Sequence, residues 1–331
     1  MIQLSYNRLS IDYELRNIYY VIRDGVLREL TQCSITQHES RITSLAQKGA
    51  SMMPTLGLNL MVWNGQVGAA ELALLPQIKT MGYASVELPV FAAEPFAIAT
   101  VRAALQEQGL ACTVSTALPA TLNLIDAERR AAGVDYLRQV ITLAATVGAT
   151  VVCGPLAAPV GERRGRGYTA AEWASCVLGL RTAGAIAADN GVTLALEPLN
   201  RFETFMVNTV ADGVRLVTEV DQPAVGLLLD TFHMHIEEKS TAAAIRHAGR
   251  HIKHFHASEN DRGTVGTGQV AWPSVFGALR DINYQGQIVV ESFGHAIAEL
   301  AGAACVWRPL AASPEALAQG SITYLRKHLS E

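Results

Sequence analysis

The sequence predicts a single α/β domain of the (β/α)8 TIM barrel class with an N-terminal extension, and three observations predict it. From residue 55 onward, short apolar runs alternate with longer helical stretches, the order that builds a parallel sheet. Eight such units fit into about 275 residues, the size of such a barrel. The first run, "LGLNLMVWNG", carries no GxGxxG turn, which counts against an open dinucleotide-binding sheet.

The expected strands are "LGLNLMV" (56–62), "SVELP" (85–89), "ACTVST" (111–116), "TVVCG" (150–154), "TLALE" (193–197), "VGLLLD" (225–230), "IKHFH" (252–256) and "QIVVE" (287–291). These short runs are rich in apolar residues. Between them, "PFAIATVRAALQEQG", "AERRAAGVDYLRQVITLAATVG" and "TAAEWASCVLGLRTAGAIAADNG" repeat apolar residues at three and four and close on glycine, a helix with a left-handed cap. Pro76 falls inside the first helical stretch and is expected to kink or shorten it.

Residues 1–52 lie outside this rhythm and are expected to form an extension, or to reflect a misassigned start, before a barrel over 53–331. They show no basic start, apolar core and small-residue cleavage site. The net charge of −4 provides no footprint for nucleic acid. The one dense basic run, "ERRGRGY" (162–168), reads as a solvated loop. No stretch of 18 uncharged apolar residues is present, so no membrane span is expected. Cysteines 33, 112, 153, 176 and 305 are scattered, odd in number and without a CxxC, which fits reduced thiols in the cytoplasm.

The chemistry sits at strand ends. Strand five finishes on Glu197, six on Asp230, seven on His256 and eight on Glu291, and such barrels place their active sites at that face. One acid there is more often a cap or a loop residue than a ligand. Three neighbouring carboxylates behind apolar runs would repel one another and bear desolvation costs unless a cation neutralised them. One divalent ion held by three carboxylates and an imidazole resolves the conflict. The donor set suits Mn²⁺ or Co²⁺, with Mg²⁺ a further candidate, better than a closed zinc site. Glu203, His233 and Arg262 follow shortly after these ends, where they can hold the oxygens of a polyol. Glu87 is expected to line the same mouth or to bond to polar groups of the barrel, not to be a ligand. His235, His251 and His254 read as structural or exposed, with His254 one layer deeper than His256.

The motifs "LALEPLNRFE", "LLLDTFHMHIEE", "HFHASENDRG", "GTGQVAWPSVFGAL" and "IVVESF", with "VWRP" near the end, resemble the D-tagatose 3-epimerase and D-psicose (allulose) 3-epimerase family. The resemblance spans about residue 55 to 331 and is strongest from 193 onward; residues 1–50 have no counterpart in it. It implies that Glu197, Asp230, His256 and Glu291 are metal ligands and that Glu197 and Glu291 are also the acid/base pair. It further implies that Glu203, His233 and Arg262 hold the oxygens around carbons 1 to 3 of a ketose. Trp63 and Ser115 fall where family members line the substrate pocket. The loop at 155–168 matches no family pattern. A homo-oligomer, dimer or tetramer, is also implied.

Inverting carbon 3 of a ketose requires removing the proton beside the carbonyl. A metal on the carbonyl and neighbouring hydroxyl oxygens stabilises the enediolate. One glutamate takes a proton from one face, and the other returns one to the opposite face. His233 and Arg262 are expected to add positive donors. A metal-dependent endonuclease would need more ligands and a basic groove. An aldose–ketose or hydroxypyruvate isomerase, and a non-catalytic sugar- or metal-binding barrel, are the remaining alternatives.

Overall fold

The computed structural model describes residues 54–91, 97–294 and 297–329; the extension expected over residues 1–52 lies outside them. The strands are β1 (Thr55–Asn59), β2 (Ser85–Pro89), β3 (Ala111–Ser115), β4 (Val151–Gly154), β5 (Thr193–Leu196), β6 (Val225–Asp230), β7 (Ile252–Ala257) and β8 (Gln287–Val290). They pair in sequence order and all in parallel, and β8 closes on β1 through Leu58↔Val290 and its neighbours. Each expected strand is present. β1 is shorter than its apolar run: the chain leaves the sheet at Asn59 and coils into a 3-10 turn over Leu60–Val62, with the Asn59 side chain accepting the Met61 N–H.

Helices fill the connections. The expected first helix is split in two, Ala69–Leu72 and Leu75–Met81, and Pro76 sits in the first turn of the second, where its missing N–H breaks no intrahelical bond. The helix Ala127–Val147 ends on Gly148 at φ +95, as a left-handed cap requires. Gly154 has a sharper constraint. Its φ is +126, and a Cβ there would sit 2.1 Å from the Thr116 carbonyl oxygen, so only glycine lets β4 end against the loop after β3.

Side chains alternate between the helix-facing layer and the barrel interior. Val86, Leu88, Leu194, Leu196, Leu227 and Leu229 belong to the apolar layer under the helices. The interior positions carry smaller or polar residues instead: Asn59, Glu87, Thr113, Cys153, Ala195 and His254 are all buried. The usual interior of such barrels is branched and apolar. Here it is a hydrogen-bonded floor directly beneath the C-terminal mouth. Among the described residues no helix is long and apolar enough to cross a membrane.

Candidate active site

Glu197 and Glu291 lie one residue past β5 and β8, Asp230 ends β6, and His256 is the penultimate residue of β7. All four side chains are buried. One donor atom from each lies within 4.8 Å of the others. Glu197 Oε1 and His256 Nδ1 are buried without a hydrogen-bond partner. Buried lone pairs left unmatched are costly, and a divalent cation satisfies them while offsetting the crowded negative charge. The residues therefore fit the metal that the strand ends imply.

Electrostatics points the same way. Burial, and then the charge of Glu291, push Glu197 well above the usual carboxylate range. Burial also opposes charge on Glu291, but His256 and Arg262 outweigh it and hold that carboxyl down to about 2. For His256, burial disfavours the cation, yet Glu291 and Glu87 raise its pKa well above the ordinary value. The site demands positive charge where its carboxylates meet.

Arg262 enters this cluster from the loop after β7. Nη1 donates to Asp230 Oδ2 and to Glu291 Oε2, both at 2.7 Å. Its guanidinium lies 3.9 Å from the Phe232 ring centre and 4.9 Å from that of Phe293, the arrangement of a cation over aromatic faces. The residue has φ +63, a conformation that costs a non-glycine residue about 1–3 kcal/mol. Its loop is over-determined: buried Glu259 accepts the Gly266 and Val270 N–H groups and the Trp272 indole N–H. Ser292 Oγ donates to the Arg262 carbonyl.

His233 is held from the other side. Its Nδ1 accepts the Asn200 backbone N–H at 3.1 Å, which leaves the ring proton on Nε2. That Nε2 is 3.6 Å from Glu197 Oε1 and 3.3 Å from Arg262 Nη2, the latter a contact between two donors. Burial holds the His233 pKa down to about 3, so His233 is a neutral donor and not the positive one expected. The Asn200 side chain donates to Glu203 Oε1 at 2.8 Å, and burial raises the Glu203 pKa. Asn200 thus sets two of the anticipated substrate contacts. It had no signal in the sequence beyond its place in "PLNRFE".

A cavity of about 1180 Å³ opens above these groups, and Ser115, Glu197, Glu203, His233, Arg262 and Glu291 reach it. Trp63 does not: its indole N–H donates to Glu315 at 2.8 Å, and Met61 and Asn64 take the wall in its place. The displacement follows from the early end of β1. Glu87 is deeper than the mouth, wholly buried in the floor, where it bonds to polar groups of the barrel, His254 and His256 included. Opposed by burial but favoured by the two imidazoles, its carboxyl lies well below the usual range. The basic run is also better partnered than a solvated loop. Arg164 reaches Asp126 and Glu172, and Arg166 reaches Glu172.

The chain matches the family described as Xylose isomerase-like TIM barrel over residues 75–328. It is 33% identical over 273 residues to a probable ketose 3-epimerase of Synechocystis sp., covering 82% of this chain and 95% of that one. It is 31% identical over 267 residues to a D-psicose 3-epimerase of Agrobacterium fabrum, covering 77% and 90%. Among solved structures, D-allulose 3-epimerase from Methylomonas sp., in complex with D-allulose, superposes with a TM-score of 0.79 at 30% identity, covering 84% of this chain and 98% of that one. With the closed eight-stranded barrel and the metal-ligand group at its mouth, these likenesses show that the chain belongs to the xylose isomerase-like TIM barrel family and, within it, to the ketose 3-epimerases.

Proposed function

We propose that the chain inverts carbon 3 of free ketohexoses and ketopentoses, D-tagatose and the D-fructose/D-psicose pair among them, with Glu197 and Glu291 as the two acid/base residues. One observation carries the reading: two glutamates from β5 and β8, with β6 and β7 between them, face one cavity beside a set of metal-ligand atoms. Glu197, Asp230, His256 and Glu291 would hold a divalent ion, Mn²⁺ or Co²⁺ by their donor types, with Mg²⁺ a further candidate. When bound, the ion supplies a Lewis acid that acidifies the carbon 3 proton and balances charge developing on the carbonyl oxygen.

The protein's own groups do the rest. Glu291, the carboxylate that Arg262 holds charged, removes the proton from one face, and Glu197 delivers one to the other. In the reverse direction the roles exchange. Arg262 Nη2 and the His233 Nε2–H donate to substrate oxygens near the developing oxyanion, and Glu203 accepts a hydroxyl. Ser115 contributes a further polar contact on the wall. Arg262 also keeps Glu291 in its charged form, while Glu197 has no such partner, so the two carboxyls start the cycle with unequal proton affinity. The enzyme works in the cytoplasm, as a dimer or tetramer.

The test is isotopic. D-fructose or D-tagatose incubated in D₂O gains deuterium at carbon 3, with the 3-epimer as product. Deuterium at carbon 1 or 2 with an aldose as main product would move the protein to the aldose–ketose isomerase reading.

A further inference from the structure

Five donors converge on the carboxylate of Glu87. Asn59 Nδ2 (2.7 Å) and His256 Nε2 (2.9 Å) meet Oε1. Thr113 Oγ1 (2.9 Å), Cys153 Sγ (3.2 Å) and His254 Nε2 (2.7 Å) meet Oε2. An amide N–H can only donate. A buried carboxylate so surrounded is an acceptor on both oxygens, and the proton between it and each imidazole belongs to the imidazole. His256 Nε2 is therefore the protonated nitrogen on the floor side. Its Nδ1 points the other way, 3.2 Å from Glu291 Oε1 and 3.8 Å from Asp230 Oδ2, with no hydrogen-bond partner.

We propose that Glu87 is a positioning residue for the metal centre: its carboxylate fixes the tautomer and ring angle of His256, so that the Nδ1 lone pair faces the ligand group. This rests on the metal reading above. A metal-binding imidazole commonly donates its other N–H to a carboxylate, and loss of such a partner weakens binding about 10- to 100-fold. Here the carboxylate comes from β2, across the barrel from β7. Because Asn59 caps the 3-10 turn after β1 with its other amide atom, the same carboxylate also ties that turn to the floor.

The two sides of Glu87 are chemically unequal, which makes substitution informative. On the Oε1 side, Asn59 and His256 present N–H groups. On the Oε2 side, a hydroxyl and a thiol can rotate to accept, and His254 can accept at Nε2 by moving its proton to Nδ1, which has no other partner. In Glu87→Gln the amide NH₂ settles on the Oε2 side and the carbonyl stays with His256. That variant keeps the Nε2–H tautomer and a metal affinity close to that of the unmodified protein. Glu87→Met fills the volume with no acceptor, frees the tautomer, and lowers affinity about 10- to 100-fold.

The experiment uses the full chain labelled with ¹⁵N-histidine and loaded with Zn²⁺, a diamagnetic probe that accepts the same oxygen and nitrogen donors. NMR locates the His256 proton, and competition with a chelating dye measures Zn²⁺ affinity in all three proteins. Expected are a proton on Nε2 in the unmodified protein and in Glu87→Gln, and weakened binding in Glu87→Met. A His256 proton on Nδ1 in the unmodified protein, or full affinity in folded Glu87→Met, would overturn the proposal. No Zn²⁺ binding by the unmodified protein would instead strike the metal reading, and this proposal with it. If Glu87→Met does not fold, the unmodified spectrum and Glu87→Gln still decide: a Gln variant that folds but has its His256 proton on Nδ1 refutes the argument.

Discussion

Asp230 divides its carboxylate between two tasks. Oδ1 accepts the Phe232 backbone N–H at 2.6 Å and caps the helix Thr231–Glu237, while Oδ2 faces Arg262 and Ser258 in the site. The strand-end acid that caps the helix is thus also one of the four proposed ligands. Asp230→Asn should keep the cap through its amide oxygen but lower metal affinity about 100-fold, since the amide NH₂ meets the Arg262 N–H. Asp230→Ala should lose the cap as well, for about 1 kcal/mol more in unfolding free energy than the Asn variant. Metal titration and urea melts of the two variants separate these effects.

Chelation should abolish turnover, and Mn²⁺ or Co²⁺ should restore it. The ion should also raise the melting temperature, by linkage worth about 2.7 kcal/mol at a hundredfold excess over Kd. Full activity in protein shown metal-free by elemental analysis would contradict the assignment.

Asn200→Ala should lower kcat/KM on the order of 100-fold, because it releases His233 and Glu203 together. Metal affinity should stay near its original value, since Asn200 touches none of the four ligands in its hydrogen bonds. Parallel kinetics and metal titration would show whether the two quantities separate in this way.

The 155–168 loop should loosen in acid. A hydrogen bond from Arg164 holds the Asp126 pKa below its ordinary value, and one from Arg166 does the same for Glu172. Groups depressed on folding contribute stability that is present above their unfolded pKa, about 4, and lost as pH falls through the lower folded values. Protection factors over residues 160–168, taken against the intrinsic exchange rate at each pH, should therefore be high at neutral pH and fall below about pH 4. Arg164→Ala should show the low protection at neutral pH.

All eight strands lie between Thr55 and Val290. A chain starting at Met53 should accordingly fold and turn over ketoses at a rate similar to the full chain. An insoluble or inactive truncation would place residues 1–52 within the functional unit.

The barrel was legible because parallel strands are buried on both faces, so most of them read as short runs rich in apolar residues set between helical stretches. The four candidate ligands were legible because a metal-ligand residue type stands at the end of four successive strands. Glu87 is a single acid inside a strand, and no local signal distinguishes mouth from floor. Its partners on β7 are known only once the barrel has closed. Trp63 was misplaced because Leu60–Val62 are as apolar as β1 itself, so the sequence hides the turn out of the sheet at Asn59. Arg164 looked solvated in part because Asp126, the acid it reaches outside the loop and the following helix, is 38 residues away in sequence.

The closed barrel has an unequal division of labour around its ring. The four ligand-type residues come from β5 to β8, while Met61, Asn64, Val90 and Ser115, from the ends of β1 to β3, form facing wall. On the proposed reading, the acid/base pair comes from one half of the gene, and part of the facing wall comes from the other. Segments after β1 to β3 could be grafted from a relative to alter which ketose fits, leaving Glu197 and Glu291 where they are. Such a graft has one fixed point under the proposal for Glu87: whatever replaces β2 must bring a side-chain oxygen to position 87 that accepts the His256 Nε2–H.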